Sequence, residues 1–126
     1  MNSEASDTMT HSRSSCGPIS LVEASIDGSY ILIENNTSGT KRKNQDLSGW
    51  TLKRSIPGKA DAVYTFGNTV LNPGQKLRIY AAGNPPGPSD KVPCDYFINK
   101  ECFSWGGGSG TTILLDDDSN NVSMMA

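Results

Sequence analysis

Few side chains in this chain combine the type and the spacing that chemistry needs. The single histidine, His11, lies in a Ser/Thr-rich stretch with almost nothing apolar around it. A Ser–His or Cys–His nucleophile needs an imidazole held in place by a second group, so that class is not expected. Three cysteines, Cys16, Cys94 and Cys102, are irregularly spaced and do not supply the four convergent ligands of a structural zinc site. Asp116, Asp118 and Asn120 fall at the first, third and fifth positions of a calcium-loop pattern. Asn121 stands where that loop needs glycine, and the position of its bidentate glutamate lies beyond Ala126. The Gly106-Gly-Gly-Ser-Gly110 run lacks the Lys-Ser/Thr of a phosphate loop and reads as a backbone bend beside Trp105. Glu23, Glu34 and Asp95 are carboxylates that could meet for acid–base work, with nothing in the pattern favouring it. Asn35, Asn36 and Asn121 fit the Asn-x-Ser/Thr acceptor pattern, which arises often by chance. The expectation is a chain that is not an enzyme, with no catalytic residue, no cofactor and no metal.

What remains is charge. The formal net charge is −2 and the pI about 5.2, so bulk electrostatics favour neither nucleic acid nor acidic membranes. Locally the balance inverts: residues 41–59 hold six basic side chains against the single acid Asp46. Lys41, Arg42, Lys43, Lys53 and Arg54 are therefore the candidate partner-binding residues, suited to DNA or to an acidic protein segment. A strand rises ~3.3 Å per residue, so the loop and the strand end could lie ~20 Å apart and need not form one patch.

These residues are positioned by β structure. After the Asp46-Leu-Ser-Gly49 turn, Trp50 and Leu52 alternate with Thr51 and Lys53, which reads as a strand lying over a core. Its indole brings ~150–250 Å² to bury. Before it, Ile19, Leu21 and Glu23 share one face, and Val22, Ala24 and Ile26 the other. Asp27-Gly28 then reads as a two-residue hairpin turn into Tyr30-Ile-Leu-Ile-Glu-Asn35. Beyond it come a short strand at Val63-Tyr-Thr-Phe66 and a Pro73-Gly74 turn of type II chemistry. A strand over 75–81 follows, with Leu77 and Ile79 opposite Lys76, Arg78 and Tyr80. Phe97, Ile98, Phe103 and Trp105 are expected as apolar anchors from an irregular stretch with one short strand. A hairpin from Thr111-Thr-Ile-Leu-Leu115 to Val122-Ser-Met-Met125 closes the chain. No segment repeats apolar residues near 3.6. The reading is all-β: an immunoglobulin-like antiparallel β-sandwich of seven to nine short strands over 18–126, preceded by a flexible tail or linker over 1–17. At 126 residues there is room for one domain. No basic start leads into an apolar run, and no run is long enough to span a bilayer. The chain is expected to be intracellular.

Five of these segments, in this order, resemble the lamin tail domain of nuclear lamins and invertebrate intermediate-filament proteins. They are the hairpin from Ile19 to Asn36, Leu47-Ser-Gly-Trp-Thr-Leu-Lys-Arg54, Tyr64-Thr-Phe66, Leu71-Asn-Pro-Gly-Gln75 with Ile79-Tyr-Ala-Ala-Gly83, and Trp105-Gly-Gly-Gly108 with 111–115. The stretch 83–104 departs from the lamin pattern. The resemblance implies an immunoglobulin-like fold and a non-enzymatic structural module at the end of a coiled-coil rod. It implies protein partners of the lamina or cytoskeleton, extending to chromatin and DNA, with no small-molecule substrate and no membrane insertion. The parent would be a coiled-coil dimer and filament protein. Nuclear lamina is the first expectation for location and the cytoplasmic cytoskeleton the alternative. A different class also fits: an accessory domain of a secreted or multidomain enzyme, the secreted form of which predicts an extracellular context, a Cys94–Cys102 disulfide and occupied glycosylation sites.

Overall fold

Inward and outward side chains alternate along β-strands such as 51–55 and 111–115, and a computed structural model of the chain describes residues 13–15 and 18–125. Eleven strands form among the described residues: β1 Arg13–Ser15, β2 Ile19–Ala24, β3 Tyr30–Asn35, β4 Gln45–Asp46, β5 Thr51–Ser55, β6 Ala62–Thr65, β7 Val70–Leu71, β8 Lys76–Ala81, β9 Asp95–Asn99, β10 Thr111–Leu115 and β11 Asn121–Met125. They build a five-stranded sheet in the order β1-β11-β10-β5-β6, a four-stranded sheet β2-β3-β8-β9, and a two-stranded ribbon β4-β7. The count exceeds the expected seven to nine because β1, β4 and β7 are only two or three residues long. Of the segment expected as a tail over 1–17, only 13–15 is described. Those three residues pair antiparallel with β11.

Ile19, Leu21, Ile31, Ile33, Leu77, Ile79 and Ala81 from one sheet pack against Leu52, Leu114, Val122 and Met125 from the other. Leu47, Trp50, Phe66, Leu71 and Trp105 close the ends of this core. Two packed sheets with inward residues at period two make an immunoglobulin-like β-sandwich. One pairing departs from the antiparallel expectation: β8 and β9 run parallel, which the long connection between them permits.

The first hairpin also differs from the sequence reading. The register between β2 and β3 shifts between Leu21 and Glu23. This bulge at Val22 places two residues opposite one. Ala24 therefore joins Ile19 and Leu21 against the core, and Glu23 faces out. The loop is longer than two residues: Ser25 N–H donates to Tyr30 C=O, and Gly28 alone among its residues has positive φ, 78°. The Pro73-Gly74 turn closes as expected, with Gln75 N–H donating to Asn72 C=O and Gly74 at φ 81°. Phe103 is 81% exposed and Phe97 lies at the open edge of β9, so neither is the core anchor expected; Trp105, 2% exposed, is.

Candidate partner-binding surface

The basic residues separate into three environments. Lys41, Arg42 and Lys43 are exposed on the loop after β3, Lys41 ending a single 3-10 turn Gly39–Lys41. That loop is pinned from beneath by Asn35, the last residue of β3 and fully buried. Asn35 Nδ2 donates to Lys43 C=O at 2.9 Å and to Leu71 C=O at 2.8 Å. Its Oδ1 accepts the N–H and the hydroxyl of Thr37 at 3.0 and 2.7 Å. The Thr37 hydroxyl in turn accepts Lys43 N–H at 3.1 Å. Every polar atom of the Asn35 side chain is thus engaged, so this residue of the Asn-x-Thr triplet is a strut. It follows Ile31 and Ile33 on the inward parity of β3, the one sequence signal that could have found it.

Lys53 lies on the outer face of the five-stranded sheet, across from Ile113 and Val63, with its Nζ 4.0 Å from Asp61. At that separation and exposure the pair contributes ~0–1 kcal/mol.

Arg54 is a correction to the candidate set. It is 6% exposed and points inward, on the parity of Leu52. Its Nε donates to Gly106 C=O at 3.0 Å, one terminal nitrogen to the Thr112 hydroxyl at 2.9 Å, and the other to Gly108 C=O at 2.9 Å. Burial lowers its pKa from the usual guanidinium value. A guanidinium offers five N–H donors in a rigid fork, and here the fork is spent on holding the glycine run. The structure thus presents a loop triad and a separate Lys53, not one five-residue patch.

The other chemistry-bearing residues serve turns and edges. Asp116 Oδ1 accepts the N–H groups of Asp118 and Asn120, both at 2.9 Å, and Ser119 has φ 64°. The carboxylates of Asp116, Asp117 and Asp118 lie within 4.8 Å of one another at this hairpin tip. Glu23 accepts the Tyr30 hydroxyl and Asp95 accepts the Gln75 amide. Glu23 and Asp95 belong to opposite edges of a four-stranded sheet. Three spacings of ~4.8 Å hold those edges ~14 Å apart. An open groove between the free edges of β6 and β9 is lined by Val63, Tyr64, Ile98, Asn99 and Cys102. Asn99 bridges it, donating to Val63 C=O at 2.9 Å.

Cys94 and Cys102 are both free, and burial raises the pKa of each thiol. They flank opposite ends of the five-residue β9. Five residues span ~16 Å, far beyond the ~7 Å Cα separation that a disulfide tolerates. The bond that the secreted-enzyme alternative predicts is not formed. His11 and Cys16 lie outside the described residues.

Comparison with known proteins adds to this geometry. The family model described as Lamin Tail Domain matches residues 12–126. The chain is 35% identical over 118 residues to a non-neuronal cytoplasmic intermediate filament protein of Cornu aspersum, covering 94% of this chain and 20% of that protein. It is 39% identical over 116 residues to a muscle cell intermediate filament protein of Acanthocheilonema viteae, covering 91% of this chain and 28% of the relative. A muscle cell intermediate filament protein of Onchocerca volvulus is 37% identical over 116 residues, 91% of this chain and 25% of the relative. The chain thus spans about a fifth to a quarter of the length of such relatives.

Proposed function

The chain belongs to the lamin tail domain family found in intermediate filament proteins, and from that premise we propose that it is a non-enzymatic docking module of such a protein. It follows a coiled-coil rod in its parent, which dimerises and assembles into filaments, and it presents loops to protein partners. The observation that carries this reading is the Lys41–Lys43 loop, exposed yet held by three hydrogen bonds between the buried Asn35 and its residues Thr37 and Lys43, with a fourth tying Asn35 to Leu71 C=O. A loop held in one shape loses little entropy on binding, and its charge selects an acidic segment. The names of the relatives, cytoplasmic and muscle-cell proteins, support the cytoplasmic cytoskeleton over the nuclear lamina as its place.

The test is cosedimentation of the 126-residue chain with preassembled cytoplasmic intermediate filaments, as wild type and with Lys41, Arg42 and Lys43 reversed to Glu. Reversal of three charges on one loop is expected to weaken binding at least tenfold, about 1.4 kcal/mol. Equal pelleting of both forms would remove the loop from the interface. The finer reading, DNA as the partner, is tested in parallel with a duplex probe. Three phosphate contacts predict a log–log salt slope of about −3, and loss of binding on reversal.

A further inference from the structure

The outer face of the four-stranded sheet carries a second surface of different chemistry. Along β8 the outward residues are Lys76, Arg78 and Tyr80, since Leu77, Ile79 and Ala81 face the core. Register places Tyr30 across from Tyr80, Leu32 across from Arg78, and Tyr96 beside Arg78 on β9. The rings interlock: Tyr30 and Tyr80 centroids are 5.4 Å apart, and Tyr80 and Tyr96 meet edge-on at 5.5 Å. The Arg78 guanidinium lies 4.2 Å from the Tyr30 centroid and donates to the Tyr80 hydroxyl at 2.9 Å.

Among the described residues no carboxylate forms an ion pair with this arginine. Its Nε is buried without a hydrogen-bond partner, alone in that respect among side-chain atoms of the described residues. Glu23, on the same face, accepts the Tyr30 hydroxyl instead. Glu34 stands across from Lys76 and not from Arg78, whose register partners are Leu32 and Tyr96, so the Arg78 charge in the middle of the face has no acidic residue directly across from it on either neighbouring strand. At the sheet edge Tyr96 is 41% exposed. The loop carrying Pro86 and Pro88 forms an open recess with Tyr96, Cys94 and Asp95.

We propose that this Tyr30–Arg78–Tyr80–Tyr96 face docks an acidic peptide segment of a protein partner, one carboxylate taking the Nη1–Nη2 end of the Arg78 fork while a neighbouring apolar side chain covers Tyr96. The inference rests on the docking-module reading but uses a face separate from the basic loop. Planar guanidinium and carboxylate match in two parallel hydrogen bonds. Tyrosine and arginine are also the residue types that dominate binding energy at interfaces. Ring contacts fix the platform before a partner arrives, so few rotamers remain to be frozen.

The experiment is a ¹⁵N-labelled titration of the whole chain with a capped decapeptide alternating Glu and Phe, with the Lys–Phe decapeptide as control. The acidic peptide is expected to shift amides of β3, β8 and β9, with no response to the basic one. Arg78→Gln should weaken it at least tenfold and Tyr96→Ser about fivefold. Tyr96 is exposed, so its variant keeps the test usable if Arg78→Gln unfolds, which the thermal midpoint reveals. Shifts confined to residues 37–43 would overturn this proposal and leave the basic-loop reading standing. No shifts with either peptide would overturn it too, while filament cosedimentation judges the broader reading separately. A wild-type dimer in sedimentation that dissociates in Arg78→Gln would make the face a self-contact and refute the acidic partner.

Discussion

Arg54→Ala is the substitution that best separates a surface reading of the basic residues from the buried one. Three hydrogen bonds leave the guanidinium, to Gly106 C=O, Thr112 Oγ1 and Gly108 C=O. Bonds from a charged donor are worth ~1.5–3 kcal/mol each before anything recovers. Gly108 is exposed and Gly106 half-buried, so both carbonyls regain water when the arginine is removed. Thr112 is fully buried and its hydroxyl stays dry. The aliphatic stem also leaves a gap beside Leu52 and Thr112. Together these give a net loss of about 3 kcal/mol, within the range for breaking a buried polar network. With a urea m-value of about 1.5 kcal/mol/M, the midpoint falls by about 2 M. Arg54→Met keeps the stem and removes the charge whose burial is unfavourable, so it should recover roughly half of that loss. Lys53→Ala, one residue away on the outer face, should stay within ~0.5 kcal/mol. The assay is equilibrium urea unfolding followed by tryptophan fluorescence. An Arg54→Ala midpoint within ~0.3 M of Lys53→Ala would refute the buried-fork account and return Arg54 to the partner-binding surface.

Four further outcomes follow from the same geometry. Trp50→Ala removes a core indole and should cost ~3–5 kcal/mol in the same urea assay. Asn35→Asp removes both amide donors and buries a charge, so it should cost ~2–4 kcal/mol and speed hydrogen exchange at Thr37 and Lys43. Gly28→Ala should lower the thermal midpoint by several degrees, because φ is 78° and an added Cβ would lie 2.9 Å from Gly106 N. Asp27 and Asp46 carry lowered pKa values, held down by hydroxyl and N–H donors of Ser29 and Ser48 respectively. Their contribution is therefore complete above the unfolded aspartate pKa of ~3.9 and lost as pH falls through the folded values. The urea midpoint of the wild type should hold steady from pH 7 to about 5 and drop below about 4, and the difference between it and Asp27→Asn should be largest at neutral pH and shrink as pH falls below about 4.

The strands were legible wherever period two ran without interruption. In β5 and β8 the alternation of Leu52 with Thr51 and Lys53, and of Leu77 and Ile79 with Arg78 and Tyr80, matches the observed faces. It failed in β2 because a bulge adds one residue and inverts every later side chain. Nothing in Val22 itself signals that. The parallel pairing of β9 was not legible either, since the irregular connection over 82–94 carries no turn signal that fixes the direction in which β9 returns beside β8. Arg54 is a different kind of miss. Its parity with Trp50 and Leu52 pointed inward, but charge is a strong prior for exposure, and only the carbonyls of the distant glycine run override it.

Arg54 shares a pattern with two other buried polar residues. Asn35 is the last inward residue of β3, Asn99 the last of β9, and Arg54 the last inward residue of β5. Each reaches from the end of its strand into a loop. Asn35 holds 37–43, Arg54 holds 106–108, and Asn99 binds Glu101 N–H, Cys102 Sγ and Val63 C=O. Position explains the choice of residue. Mid-strand, an inward side chain meets other apolar side chains of the facing sheet. At the strand end the facing layer is loop backbone, whose N–H and C=O groups must be paired if they are buried. A polar side chain at the last inward position satisfies those groups, and in doing so fixes the loop to the sheet. The same three residues that complete the core therefore stiffen the segments a partner would meet, which is how a domain with a small apolar core can present loops of defined shape.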